Sequence, residues 1–197
     1  MGNRWVVDPN DYLMPDGSFP HGPAATYARY FGSIVSAASL QPSGTWVDVA
    51  VKCRRRAGGK PCAGNIRLRR VDVPSQVEWG CTSCDDSGLI HNWRGSMWDL
   101  SGVRKGSVRD AKLLALAVSW EELRALRKIL LLGPETQAVL DGAVVAAGVI
   151  CLQGPEDDIE ELAGQIAFEA NHTRSVNRQR ILDRVASRVE ALLEGDV

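Results

Sequence analysis

The 197-residue sequence predicts an α+β fold class, in which a small antiparallel β unit is packed with, or appended to, a helical domain. Three observations lead to this prediction. Apolar and polar residues alternate in short runs between residues 45 and 100, which indicates strands, whereas apolar residues recur at helical spacing on both sides of that stretch. Four of the five cysteines stand in two pairs inside it. Hydrophobic residues make up 45% of the chain, enough to bury a core.

The first predicted segment, residues 1–42, consists of an irregular arm and a helix. Residues 1–23 are rich in Pro, Gly and Asp, which favours an arm without regular structure. Small and apolar residues at helical spacing predict a helix over residues 24–40, and the sequence Gln-Pro-Ser-Gly then ends it. We expect three aromatic residues to attach the arm to the body: Trp5, Tyr12 and Phe19.

The second predicted segment, residues 43–104, is the β unit. Residues 45–53 alternate valines with other residue types, which predicts a strand. In the next strand Arg67 and Arg69 alternate with apolar residues, so both arginines are expected to face solvent. Two more short strands are predicted around the second cysteine pair, over residues 76–81 and 87–93.

The third predicted segment, residues 105–197, is a helical domain. Ser119 and Glu122 have the spacing of a capping box, which predicts the start of a helix over residues 120–132. A Gly-Pro pair then ends this helix and starts another over residues 134–148. Two apolar runs bounded by polar residues are expected in core helices: residues 113–118 and 129–133.

This domain is predicted to end in a long C-terminal helix. Residues 149–154 predict a short buried strand before it. From residue 155 onward the spacing predicts one long helix or two in sequence, with an acidic start and an arginine-rich second half, as the helix dipole prefers. An apolar seam runs along this helix and consists of Ile181, Val185, Val189 and Leu192. Such a seam needs a partner surface, which predicts a protein partner or a homo-oligomer.

Two cysteine pairs form the candidate metal site. Cys81 and Cys84 are separated by two residues and suit one metal-binding turn. Cys53 and Cys62 are expected at the ends of a hairpin, although eight residues lie between them, against the usual two to about four. Thiols stay reduced inside the cell, so paired cysteines there favour a metal over disulfides. We therefore predict one structural Zn²⁺ bound by four cysteines, with no open position for a substrate.

Residues 45–100 resemble a zinc ribbon, with Cys53 and Cys62 in its first turn and Cys81 and Cys84 in its second. The resemblance implies a bound metal and no particular activity. Residues 78–101 also resemble segments of bacterial proteins, and that resemblance implies no mechanism.

Two alternatives to the four-cysteine site stay open. The cysteines could be unpaired thiols of the core. His91, seven residues after Cys84, could also replace Cys53 as the fourth ligand. Cys151 lies outside both pairs and is expected to be a buried thiol.

Charge is segregated along the chain. The formal net charge is −1, yet residues 52–70 contain eight basic residues and no acid, and five acids fall in residues 155–161. Such segregation indicates a local interaction face. Because basic side chains neutralise phosphates and aromatic rings stack on bases, we predict a nucleic-acid-binding face made of Arg54, Arg55, Arg56, Lys60, Arg67, Arg69 and Trp93. The arginines are equally compatible with a solvated face or with binding to the acidic segment, and at least two of Trp79, Trp93 and Trp98 are expected to belong to the core instead.

A second polar stretch lies on the predicted C-terminal helix. Glu169 and His172 are three residues apart, the spacing found in di-iron bundles, but the second copy of the motif that such bundles need is missing. We therefore expect His172 to be a surface or hydrogen-bonded residue. The stretch predicts an interface or groove lined by Glu169, Asn171, His172, Arg174 and Arg178.

These features predict a non-enzymatic zinc-ribbon binding protein that contacts nucleic acid through its basic hairpin, with a regulatory role. Two alternatives remain: a protein-interaction or assembly factor with structural zinc, and a metalloenzyme that uses His172. The sequence has no nucleophile elbow, phosphate loop or dinucleotide fingerprint. It has no apolar run typical of a secretory signal and none of membrane-spanning length, so we expect a cytoplasmic protein without a membrane partner.

Overall fold

In the computed structural model the chain folds into both helices and strands, as its apolar periodicities predict, and the protein is of the mixed α/β type. The structure describes residues 4–102, 113–130 and 132–195. The chain divides into two compact units, Met1–Gly102 and Val103–Val197. The domain boundary expected between residues 104 and 105 lies outside the described residues.

The first unit contains a five-stranded sheet and a small hairpin. Its strands are β1 (Arg4–Val7), β2 (Val47–Lys52), β3 (Arg56–Ala57), β4 (Lys60–Pro61), β5 (Asn65–Val71), β6 (Gln76–Cys81) and β7 (Ser87–His91). The sheet has the order β1-β7-β6-β5-β2, in which β1 runs parallel to β7 and the other neighbours are antiparallel. Strands β3 and β4 form the hairpin. The four strands predicted between residues 45 and 100 are therefore present as β2, β5, β6 and β7.

Helix α1 (Pro23–Ser39) covers one face of this sheet. Its bounds are within one residue of the predicted helix, residues 24–40. Its buried side chains, among them Phe31 and Ile34, pack with Ile66, Leu68 and Trp79, and each of these residues is at most 2% exposed. The alternation of β5 puts its apolar residues on this face, as the sequence predicts. The unit therefore has an apolar core of its own beside the cysteines.

The arm is more regular than the sequence predicts. Residues 4–7 form the edge strand β1, in register Trp5↔Gly88, and a short 3₁₀ turn, Pro9–Tyr12, follows with Asp8 as its cap. Strand β1 can pair with β7 because Gly88 has no side chain. A Cβ at that position would lie 2.6 Å from the carbonyl oxygen of Trp5 and would prevent the close approach of the two strands. The expected attachment is confirmed, since three partly buried aromatic side chains pack on the core: Trp5, Tyr12 and Phe19.

The second unit combines a three-stranded antiparallel sheet with four helices in its described part. Its elements are β8 (Leu113–Val118), α2 (Trp120–Leu126), α3 (Pro134–Asp141), β9 (Val144–Ala146), β10 (Val149–Pro155), α4 (Glu156–His172) and α5 (Val176–Glu194). The strands have the order β9-β10-β8.

Two helix predictions in this unit are wrong. Residues 113–118 form strand β8, with Leu114, Leu116 and Val118 buried and the residues between them exposed. Because every residue of this run is apolar, its period is hidden, and pairing with β10 determines the strand. The helix expected over residues 134–148 ends at Asp141, and a hairpin of β9 and β10 follows.

Helix α2 begins as predicted but is short. Ser119 Oγ accepts a hydrogen bond from the Glu122 backbone N–H at 3.2 Å, and Glu122 Oε2 accepts one from the Ser119 N–H at 2.8 Å, which completes the capping box. The helix ends at Leu126 instead of residue 132, and none of the described residues of the run 129–133 is helical.

The C-terminal region forms two helices, the second of the two arrangements that the sequence predicts. Thr173 ends α4 and Ser175 caps α5, so the two helices fold back and pack together. Ile181, Val185 and Val189 are buried within the unit. The apolar seam is thus largely covered by the chain itself. In the described part of the chain, no helix has both the length and the apolar composition needed to cross a bilayer.

Candidate metal centre

Two turns of the first unit bring the paired cysteines together. Cys53 follows β2 and Cys62 follows β4, whereas Cys81 ends β6 and Cys84 lies in the turn before β7. Backbone hydrogen bonds fix both turns: the Cys53 N–H donates to the Gly64 carbonyl at 3.0 Å, and the Cys81 N–H donates to the Asp86 carbonyl at 2.8 Å. The cysteine turns therefore meet at one end of the sheet because β5 and β6 are paired neighbours.

The four sulfur atoms form a compact cluster. All lie within 4.8 Å of one another, with 3.8 Å between Cys53 Sγ and Cys84 Sγ and 3.7 Å between Cys62 Sγ and Cys81 Sγ. A tetrahedron of sulfurs about 2.3 Å from a central ion has edges of about 3.8 Å. The distances are much longer than a disulfide bond of about 2.05 Å, and all four thiols are free. The cluster is compatible with a zinc site.

Backbone N–H groups support three of the sulfurs in the form that binds a metal. In each case the donor is the residue two positions after the cysteine: Arg55 to Cys53 at 3.5 Å, Gly64 to Cys62 at 3.4 Å and Ser83 to Cys81 at 3.3 Å. Such bonds stabilise a negative thiolate. Gly64 also permits close packing, because a Cβ there would lie 2.5 Å from Cys81 Sγ.

The thiols differ in how readily they lose a proton. Burial raises the pKa of Cys53 and of Cys81 above the ordinary thiol value, whereas the Gly64 N–H lowers the pKa of Cys62. A metal ion that binds this cluster would have to displace protons from Cys53 and Cys81, so its affinity would fall as the pH is lowered. Arg55 lies beside the cluster, where Asp85 and, to a smaller extent, Cys84 raise the pKa of its guanidinium.

The eight residues between Cys53 and Cys62 contain the β3–β4 hairpin. Arg56 faces Pro61 and Ala57 faces Lys60, with Gly58 and Gly59 at the turn. Both glycines have positive φ, 59° and 79°, as two-residue hairpin turns require. The long spacing is thus an inserted hairpin whose ends still meet, as the sequence predicts.

His91 and Cys151 lie outside the cluster. The four cysteines are the one group of three or more metal-ligating side chains that comes together in the described residues. His91 is the last residue of β7, at the opposite end of that strand from Cys84. Cys151 lies on β10 in the second unit.

Half of the six basic residues of the predicted face are neutralised by acids of the same unit. Arg55 pairs with Asp85, Arg67 with Asp48 and Arg69 with Glu78. The guanidinium of Arg54 donates to the Thr26 carbonyl at 2.7 Å and lies over the rings of Tyr27 and Tyr30. Arg56 and Lys60 are exposed on the hairpin and form no ion pair with a described residue.

The predicted base-stacking role of Trp93 is wrong for this structure. Its side chain is fully buried, and Arg94 lies 4.8 Å from its ring centroid. The ring belongs to the core of the first unit and offers no free face to a base. Two exposed aromatic rings lie beside the predicted arginines: Trp46, with Arg67 and Arg69 at 5.8 Å and 5.2 Å from its centroid, and Tyr27, with Arg54 at 5.2 Å.

The polar stretch of the C-terminal helices is only partly assembled. Glu169 and Arg178 form an ion pair of 2.5 Å between α4 and α5. His172 stacks on Phe168 with 4.1 Å between ring centroids, and Asn171 and Arg174 are exposed. His172 has no partner set of metal ligands among the described residues.

Comparison of the chain with models of protein families, with curated proteins and with solved structures found no match.

Proposed function

We propose that the protein is a non-enzymatic binding module whose first unit is stabilised by one Zn²⁺ bound to Cys53, Cys62, Cys81 and Cys84. The sulfur spacing carries this proposal, because the Cys62–Cys81 and Cys53–Cys84 sulfur separations, 3.7 and 3.8 Å, match the tetrahedral edge of about 3.8 Å. Four thiolates would fill the coordination sphere of zinc and leave no position for a substrate, which supports a structural role. The two facing cysteine turns support the resemblance to a zinc ribbon.

Metal analysis of the purified chain tests this proposal. We expect one zinc per chain, and substitution by Co²⁺ should give the visible absorption bands of a tetrahedral thiolate site. Four-sulfur sites also accept iron, so stoichiometric iron would contradict the assignment of the metal. A chain without metal after expression in zinc-supplemented medium would contradict the site itself.

We further propose that the β3–β4 hairpin contacts nucleic acid. Its support is the pair Arg56 and Lys60, which face solvent next to the cysteine cluster without an acidic partner in the described residues. When an unpaired basic side chain neutralises a phosphate, the counterion condensed on the nucleic acid is released, which favours binding. Arg55, Arg67 and Arg69 are less suited to this role because they already have carboxylate partners. The hairpin tip is therefore the part of the basic segment best suited to a phosphate backbone.

Changing both Arg56 and Lys60 to serine should weaken nucleic-acid binding and lower its salt slope by up to about 2, since each phosphate contact contributes about one unit. Fluorescence anisotropy with labelled single- and double-stranded DNA and RNA at two salt concentrations measures both effects. The matched variant Arg67→Ser/Arg69→Ser loses the same charge from ion-paired positions and should lose less affinity. If the unchanged chain binds none of the four probes, the nucleic-acid proposal fails and protein interaction becomes the leading function.

A further inference from the structure

A groove in the second unit lies between α2 and the start of α5. Glu121, Arg124 and Lys128 line it from the α2 side, and Asn177, Arg178 and Ile181 line it from α5. Its volume is about 540 Å³, within the range of about 300–1,000 Å³ that is typical of small-molecule sites. The groove is separate in sequence from the cysteines and from the β3–β4 hairpin.

The lining of the groove is cationic. Three of its side chains are basic and one, Glu121, is acidic. Within the described residues neither Arg124 nor Lys128 forms an ion pair, and the Nε of Arg124 donates only to the Trp120 carbonyl. This is the reverse of the first unit, where Arg55, Arg67 and Arg69 each pair with a carboxylate. Arg124 and Lys128 therefore give the groove two positive charges that no acid of the described chain cancels by direct contact, whereas the third basic residue, Arg178, pairs with Glu169.

Arg178 adds hydrogen-bond donors that lack an acceptor. Its Nη1 pairs with Glu169 at 2.5 Å, which holds the guanidinium in place. Its Nε and Nη2 are buried and have no hydrogen-bond partner among the described residues. Buried N–H groups normally have an acceptor, and the fork of a guanidinium matches two phosphate oxygens.

From the cationic lining, the unpartnered donors and the size of the groove, we infer that it binds a phosphorylated small molecule of nucleotide size. Arg124 and Lys128, which are exposed, would contact the phosphates, with Arg178 adding positive charge beside them. Asn177 offers a polar contact, and Ala125 and Ile181 offer an apolar floor to the rest of the ligand. The first turn of α5 adds a favourable dipole for an anion.

Calorimetric titration of the full, metal-loaded chain with inorganic pyrophosphate and with ADP tests this inference. Both probes should bind saturably, and ADP should bind more tightly because the floor adds contacts. The variant Arg124→Gln/Lys128→Gln should lose about tenfold or more in affinity for each probe, since charged hydrogen bonds are lost. Circular dichroism will verify that this variant, altered only at exposed positions, keeps its fold.

The matched control is Arg180→Gln/Arg184→Gln, which removes two exposed arginines of α5 that do not line the groove. It should bind both probes as the unchanged chain does. Equal losses in the two variants would overturn the site, because net charge alone would then explain binding. No saturable binding of either probe at millimolar concentration would also overturn it. A single-stranded oligonucleotide that binds this groove more tightly than ADP would overturn the small-molecule class. None of these outcomes depends on the cysteines or on Arg56 and Lys60.

Discussion

Replacing Cys84 with serine is expected to release the proposed Zn²⁺ and to destabilise the Met1–Gly102 unit by at least about 4 kcal/mol, the range in which loss of a metal site is found. A serine hydroxyl stays protonated and is a poor ligand for a soft site, so the remaining three cysteines cannot complete the tetrahedron. The binding free energy of a structural metal is folding free energy. Because the unit also has an apolar core around Trp79 and Phe31, we expect partial structure to remain at the end of the sheet away from the cysteines.

Tryptophan fluorescence during urea unfolding measures this effect with little interference from the second unit. Five of the six tryptophans lie in the first unit, and Trp120 alone lies in the second. The matched control is Cys151→Ser, which removes a thiol outside the cluster and should keep one metal per chain. A Cys84→Ser variant with full metal content and unchanged stability would show that the four-cysteine site is wrong.

The cysteine cluster could be predicted from the sequence because its requirements are local. A tetrahedral ion needs four thiols, and two short turns can supply them. The eight residues between Cys53 and Cys62 do not separate these two cysteines, because they form a hairpin that turns at Gly58 and Gly59. Spacing in the sequence was therefore enough to predict which four cysteines lie together, and the pairing of β5 with β6 brings their two turns to the same place.

Whether the arginines are paired with acids depends on the strand register, which the spacing of residues in the sequence does not reveal. Arg69 stands opposite Glu78 only because β5 and β6 pair as they do, and Arg67 stands opposite Asp48 across β2 and β5. Such cross-strand pairs remove charge from a face that looks strongly basic in the sequence. Strand β8 was not predicted because all of its residues are apolar. Buried and exposed positions alternate along it, but the sequence shows no alternation of apolar and polar residues from which a strand could be recognised.

Replacing Gly32 with alanine should destabilise the first unit by about 2 to 3 kcal/mol, in spite of the better helix propensity of alanine. Gly32 lies within α1, where a Cβ would be 2.2 Å from Nε1 of Trp98 and less than 3 Å from two further ring atoms. The ring cannot move away freely, because Phe19 packs against it edge-on at 5.8 Å and Ser36 Oγ donates to the Trp98 carbonyl at 3.2 Å. The free energy of unfolding in urea measures the loss.

Two comparisons separate this clash from a general effect of changing a helix glycine. Gly164, in α4, has no atom within 4 Å of an added Cβ, so Gly164→Ala should stabilise its helix by up to about 1 kcal/mol. In a Trp98→Leu background, the Gly32→Ala change should cost much less, because the atoms that the methyl group meets are gone. An equal cost of Gly32→Ala in both backgrounds would mean that the close contact between α1 and Trp98 does not determine the stability of this unit.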